Sequence, residues 1–403
     1  MASKGPAESQ TRRLWPLLAV NFFMADMQSG IGPFVGVFLA QQGWASGLIG
    51  TAMTIGNIAG MLITTPVGGF IDTSQHKRAW VIVPGAAVVA ASSIILLWQN
   101  FWAVAASQVA TSIAGAAIVP AVTGITLGIV GQKGFNRQNG RNQAFNHAGN
   151  MVGAAVSGFL GWRFGYVSVF LLAAIFGAIT IFCVFMIPAD TIDHRTARGS
   201  KEDDPDHQPS GMTVLLKHTP LVVLALALAI FHLGNAAIVP LYGLSAVTGN
   251  EANGPSFVAT IVVIAQGTMV IASIAGMRIA EKRNYWLLIL ASFLVLPLRG
   301  IFACFLTGWW GVVPVEILDG IGVGLQGVAV PGMVARSLYA TGRVNLAQGA
   351  VITIQGAGAA LSPAFGGWIA EWVGYSPAFL VLGAMGLAAA ALWIACRAAI
   401  KQD

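Results

Sequence analysis

The strongest constraint on this chain is a succession of apolar runs: twelve segments near or above the roughly 20 residues that span a bilayer as a helix, separated by short polar breaks. Their approximate limits are 15–39, 47–71, 79–98, 102–130, 144–160, 166–187, 219–247, 256–279, 286–306, 310–334, 346–373 and 377–397. A backbone in hydrocarbon must satisfy its polar groups within itself, so such runs predict helices rather than open strands. Composition agrees. Charged residues make up 9% of the chain, against about 25% in a soluble domain. The 49 glycines are spread through the apolar runs instead of gathering in a linker. The expected fold class is an all-α polytopic membrane protein of twelve transmembrane helices in two six-helix halves.

Basic residues set the orientation. All but two of the 21 Lys and Arg residues fall in the N-tail, the loops after spans 2, 4, 6, 8 and 10, or the C-tail. The exceptions are Arg163 and Arg299. Positive loops stay cytoplasmic, so both termini are expected in the cytoplasm and the protein in the cell (inner or plasma) membrane. The formal charge of +6 is thus a topology signal. It forms no basic face or stripe, which excludes nucleic acid as a partner. The first run follows Lys4, Arg12 and Arg13 and is too long for a signal-peptide core, so it reads as an uncleaved span. Cys183, Cys304 and Cys396 lie far apart inside apolar runs and read as small packing residues, with neither disulfide nor metal spacing.

One long polar stretch interrupts the pattern. Residues 188–218 contain Asp193-His194-Arg195 and Lys201-Glu202-Asp203-Asp204-Pro205-Asp206, a mixed-charge, apolar-poor composition typical of a solvated linker. It divides the chain into an N-terminal six-helix half (1–187), a cytoplasmic linker (188–218) and a C-terminal half (219–403). The halves align on each other. Pro33 meets Pro240 and Gln28 meets Asn235 at one offset; Thr51 meets Thr260, Asn57 meets Gln266 and Asp72 meets Glu281 two residues further along. Gly165-Tyr166 likewise meets Gly374-Tyr375. Polar and proline landmarks agreeing at nearly one offset imply two parallel copies of a six-helix unit.

Within the first span, Asp26 stands about twelve residues into an apolar run. There an ionised carboxylate costs about 2.5–3.5 kcal/mol on insertion scales. Asn21 and Gln28 are seven apart and share one helix face beside it. In the internal repeat, His232 falls one position from Asp26.

The loop after span two reads Gly68-Gly69-Phe70-Ile71-Asp72-Thr73-Ser74-Gln75-His76-Lys77-Arg78. With the six-plus-six organisation it resembles the signature loop of the major facilitator superfamily, a Gly followed by three residues, an Asp and a basic turn. Gly68, Asp72 and Lys77 match; Thr73 stands where an Arg is usual and Gln75 where a Gly is usual. The repeat partner, Ala280-Glu281-Lys282-Arg283, keeps an acid followed by a base. Gly68, Asp72, Lys77, Arg78, Glu281 and Lys282 are therefore the expected gating residues, because a carboxylate at a helix end can hold one of two states. The resemblance covers essentially the whole chain. It implies a secondary transporter with a central cavity lined mainly by spans 1, 4, 7 and 10, working by rocking of its halves. Drug–proton antiporters of the superfamily carry a Gly-Pro-rich motif in span five. Here Gly149-Asn150-Met151-Val152-Gly153 lacks the proline, whereas Ser362-Pro363-Ala364-Phe365-Gly366-Gly367 in span eleven is similar to it.

The expected proton-coupling residues are Asp26, Asp319, Glu316 and Arg299. Glu316 and Asp319 are three apart on one helix face, and Arg299 lies at a depth where it can pair with Glu316, leaving the deeper Asp319 as the better protonation candidate. Asn21, Gln28, Asn57, His232, Asn235, Gln266, Gln326 and Gln355 are the expected substrate-cavity residues, although amides in membrane helices also bind helices together. Gly320-Ile321-Gly322-Val323-Gly324 is not a phosphate loop, since no strand precedes it and no Lys closes it. No convergent His, Cys or acidic set supports an enzyme, and no cofactor is expected. The expected function is proton-coupled export of a small organic molecule; the alternative is a symporter or uniporter importing a small metabolite. The partners are the substrate, protons and the lipid bilayer, and the chain is read as a monomer.

Overall fold

The computed structural model describes residues 6–25, 31–193, 218–249, 253–282, 285–337 and 344–397. Among them the chain is all-helical. The helices are α1 (Pro6–Ala25), α2 (Ile31–Gln41), α3 (Ser46–Thr73), α4 (Ala79–Leu97), α5 (Phe101–Phe164), α6 (Tyr166–Phe185), α7 (Thr219–Thr248), α8 (Gly254–Lys282), α9 (Tyr285–Phe305), α10 (Gly308–Ser337), α11 (Val344–Val373) and α12 (Tyr375–Ala395). Prolines stand inside several of them, such as Pro120, Pro240 and Pro363, which membrane helices accommodate more readily than soluble ones.

The twelve expected spans map onto these elements with two differences. The first span appears as α1 and α2, and the residues between them, with Asp26 and Gln28, lie outside the described residues. Spans four and five form one long element, α5, interrupted at Gly131 (φ 67°, ψ 174°). The stretch expected as a loop after Gly131 is therefore helical. Its polar residues are not left to water: Gln138 Nε2 donates to Asn142 Oδ1 (2.9 Å), and Asn142 Nδ2 donates to Thr126 Oγ1 (3.0 Å), all three buried. Nine of the described helical stretches are long and apolar enough to cross a membrane. The three other expected spans hold the more polar runs, including Asn146, His147 and Asn150 of α5 and Gln348 and Gln355 of α11. Apolar side chains left uncovered, such as Phe305 (75% exposed) and Trp310 (90%), suit a lipid-facing surface.

Packing separates the chain into two compact units. Val35–Thr54 packs with the C-terminal helices; the remaining described residues up to 193 form the other unit. In the first unit α1 packs on α5 and α6, and α4 on α5, around Leu17, Val20, Val81, Ile118, Ile125 and Val184. In the second, α7 packs on α11 and α12, α8 on α10, and α9 on α10 and α12, around Phe231, Tyr242, Phe257, Phe293, Phe379 and Trp393. Of the expected linker, Pro188 begins a short turn through Ala189–Thr191; residues 194–217 lie outside the described residues.

Close helix approaches repeat in the two units, as the internal alignment predicts. A Cβ at Gly149 of α5 would collide with the Phe22 carbonyl of α1, and one at Gly358 of α11 would collide with the Ala229 carbonyl of α7. Gly165 (φ 80°) and Gly374 (φ 89°) each end a helix in a left-handed conformation and donate back to the preceding turn, Gly165 to Gly161 and Gly374 to Ala370. Only glycine adopts that backbone without cost.

Candidate functional site

The polar groups of the second unit gather on one seam where α7, α9 and α10 meet. Arg299 of α9 and Glu316 of α10 are wholly buried, and Asp319 of α10 and Asn235 of α7 nearly so. The guanidinium uses its whole fork. Its Nε donates to the Val315 carbonyl (3.2 Å) and its Nη1 to Asn235 Oδ1 (2.9 Å). Nη1 also lies 2.7 Å from Asp319 Oδ1, whereas Nη2 lies 3.4 Å from both Glu316 oxygens. Asn235 closes the ring by donating its Nδ2 to Asp319 Oδ1 (3.1 Å). The expected Arg299–Glu316 pairing forms, but the shorter contact goes to Asp319, in the 2.7–2.9 Å range of a charge-assisted bond.

A second polar layer lies along the same seam. His232 Nε2 is 3.1 Å from Gln326 Oε1. Gln326 Nε2 donates to Ser292 Oγ (3.3 Å), and Ser292 Oγ donates to the Ile289 carbonyl (2.7 Å). Ser292 and Arg299 are seven apart on α9; Asp319 and Gln326 are seven apart on α10, in reverse order. Seven residues are about two helical turns, so antiparallel helices meet twice at that spacing. The sequence therefore builds one charged layer and one neutral layer from the same three helices.

The other expected cavity residues are not part of this seam. Asn21, buried in α1, donates its Nδ2 back to the Leu17 carbonyl (2.8 Å), so its side chain serves its own helix. Its carbonyl accepts a long bond from Asn146 Nδ2 (3.4 Å). Asn57 is exposed on α3, and Gln266 and Gln355 are half-buried on α8 and α11.

At the loop after α3, Lys77 is buried and donates its Nζ to the Ile71 carbonyl (2.9 Å), while Arg78 Nη1 donates to the Ile187 carbonyl (2.8 Å). The bases thus hold the end of α3 and the end of α6. Gly68 has open space where a Cβ would stand, so packing among the described residues does not demand a glycine there. Asp72, Glu281 and Lys282 are helical, but their side chains lie outside the described residues.

Two features escape the sequence. Ser292 is one hydroxyl in an apolar helix; its seven-residue spacing from Arg299 was the available signal. Asn142 and Gln138 form a buried network with Thr126, and the signal there was two amides four apart on a helix face. Among the described residues no group of His, Cys, Asp and Glu is arranged to hold a metal ion.

The comparisons agree with this architecture. A family model described as Major Facilitator Superfamily matches residues 17–345. Two uncharacterised MFS-type transporters of Mycobacterium tuberculosis, from strains CDC 1551/Oshkosh and H37Rv, are each 37% identical over 379 residues, covering 93% of this chain and 90% of theirs. Among solved structures, a mutant of the nucleoside transporter NupG superposes with a TM-score of 0.78 at 12% identity, covering 96% of this chain and 99% of that one. A bacterial homolog of the human lysosomal transporter Spinster, inward-facing and occupied, gives 0.71 at 13% identity over 98% of both chains.

Proposed function

The chain belongs to the major facilitator superfamily and is a secondary membrane transporter; we propose that it couples movement of a small organic molecule to protons through the Arg299–Glu316–Asp319 cluster. One observation carries this reading: two carboxylates share one guanidinium at a buried place. With all three groups ionised the cluster holds one excess negative charge, which a low-dielectric interior strongly disfavours. One bound proton restores neutrality, so the cluster is built to exchange a single proton.

The geometry divides the roles. Asp319 takes the short bond from Arg299 and a second from Asn235, which suits a permanent counter-ion. Among the described residues Glu316 makes two long contacts, both to Arg299, and it is fully buried, which suits the carboxyl that binds and releases the proton. This reverses the order expected from depth alone. Losing that proton frees Glu316 to compete with Asp319 for the guanidinium, and Asn235, bonded to both Arg299 and Asp319, carries the change to α7. Asp26 is proposed as a second proton site on the first span, and Gly68, Asp72, Lys77, Arg78, Glu281 and Lys282 as the gating residues. The halves 1–187 and 219–403 are proposed as the rocking bodies, with both termini in the cytoplasm and the protein in the inner or plasma membrane.

The leading reading is export of the organic molecule in exchange for protons. The second is import by symport or uniport through the same cluster; the nucleoside transporter among its structural likenesses is the reason to include nucleosides among the compounds tried. Proteoliposomes with an imposed pH gradient test both. The expected outcome is gradient-driven flux that Glu316→Gln lowers at least tenfold while exchange without a gradient persists. Unchanged gradient-driven flux in Glu316→Gln sinks the proposal, and the sign of flux separates export from import.

A further inference from the structure

The neutral layer beside the charged cluster has a fixed proton order, because it ends on a group that can only accept. The Ile289 carbonyl takes the single hydroxyl proton of Ser292. Ser292 Oγ must then accept from Gln326, so the Gln326 amide turns its NH₂ to Ser292 and its oxygen to His232. That oxygen also only accepts, so His232 Nε2 must carry a proton. In the neutral imidazole this leaves Nδ1 as a bare lone pair.

The position of His232 on α7 shows where that lone pair is offered. At about 100° per residue, with Phe231 at 0°, Asn235 falls at about 40°, Ala229 at about 160°, Ala237 at about 240° and Gly234 at about 300°. The first two pack on α9 and α10. Ala229 and Ala237 meet Gly358 and Gly366 of α11, and Gly234 meets Leu382 and Met385 of α12. His232, at about 100°, occupies the sector left between α10 and α11, where it stays half-buried although its neighbours Phe231 and Asn235 are buried.

From this juxtaposition we propose that His232 is a substrate-reading residue, held as the Nε2–H tautomer by the Ile289–Ser292–Gln326 chain so that Nδ1 accepts a hydrogen bond from an uncharged substrate carrying an N–H or O–H. The proposal rests on the transporter reading above and deepens it. A site that offers a lone pair selects against compounds whose donors are masked by methyl groups, because the acceptor is then left unpaired. Ser292 and Gln326 act through His232 and are positioning residues.

The test uses the full chain in detergent micelles with ¹⁵N-labelled histidine, the His232 signal being assigned from its loss in His232→Gln. The expected spectrum shows one neutral tautomer with its proton on Nε2, and exchange between both tautomers in Ser292→Ala. A proton on Nδ1, or a spectrum indifferent to Ser292→Ala, overturns the proposal. Substrate class is read by thermal stabilisation with a library of nucleosides and sugars, each paired with its N- or O-methylated counterpart. A donor compound is expected to bind at least tenfold more tightly than its methylated partner, a preference lost in His232→Phe, which keeps a ring and removes the acceptor. Equal binding within the pairs, preference retained in His232→Phe, or no binding by any donor compound overturns it. Proton coupling is measured separately through Glu316, so failure of one reading leaves a different record from failure of the other.

Discussion

Both units bury a polar network between helices, yet the two networks differ in kind. In the first, Thr126, Gln138 and Asn142 join two parts of α5 through neutral groups, each donor meeting an acceptor. In the second, Arg299, Glu316, Asp319 and Asn235 join three helices with two acids to one base. The neutral network has one protonation state and therefore one arrangement. The charged one sets two acids against one base, and on the proposed reading it alternates between a protonated and a deprotonated state. Buried polarity that closes on itself serves as a fastener; buried polarity left one charge out of balance is suited to switching.

Four variants test this difference between the two networks. The largest effect is expected from Arg299→Ala, which leaves two buried carboxylates without a base; breaking a buried pair in this way costs about 3–5 kcal/mol. A fall in unfolding midpoint no larger than that of the neutral-network variants would erase the distinction. A triple change of Arg299, Glu316 and Asp319 to apolar residues of similar volume should recover most of the stability while abolishing gradient-driven flux. Next in size is Asn142→Ala, which leaves the buried Gln138 amide without its acceptor while Thr126 keeps its bond to the Val122 carbonyl, and should cost about 1–3 kcal/mol. Its stability loss should be the same across pH, since none of the three groups titrates, and flux driven by a pH gradient should keep its coupling. Loss of coupling there would mean the neutral network also switches. The smallest effect is expected from Thr126→Val, which keeps the shape and removes one interhelical acceptor, at about 0.6 kcal/mol. Denaturant midpoints of the purified variants check both values.

Paired substitutions sharpen the duplication itself. Gly149→Val and Gly358→Val should each prevent close approach of two helices, because the collision in both cases is with a backbone carbonyl. Folded yield measured by detergent gel filtration should fall in both. A well-folded Gly358→Val beside a misfolded Gly149→Val would show that the two copies no longer pack alike.

Much of the architecture was legible because the bilayer leaves a chain few choices. Apolar run length sets the number of spans, and the landmark matches between halves announced the repeat that Gly149 with Gly358 and Gly165 with Gly374 display in three dimensions. The acids and the base of the cluster were legible too, because a charge in an apolar run is too costly to be incidental. Their partners were harder to read. Depth alone paired Arg299 with Glu316, but the fork of a guanidinium spans several acceptors at once, and only the register of α9 against α10 brings Asp319 closer.

Run length, loop charge and the internal matches settle the class of fold, the two copies and the presence of charged residues within the spans, since these follow from which residues water or lipid will accept along one helix. Only the tertiary structure decided that Asn235 belongs to the charged layer rather than standing alone. It likewise decided that the polar stretch after Gly131 is a helix instead of a loop, and that Ser292 meets Gln326, which in turn meets His232. Each of these depends on a neighbour distant in the chain, and hydrogen-bond partners are set by helix register, which periodicity along a single helix does not encode.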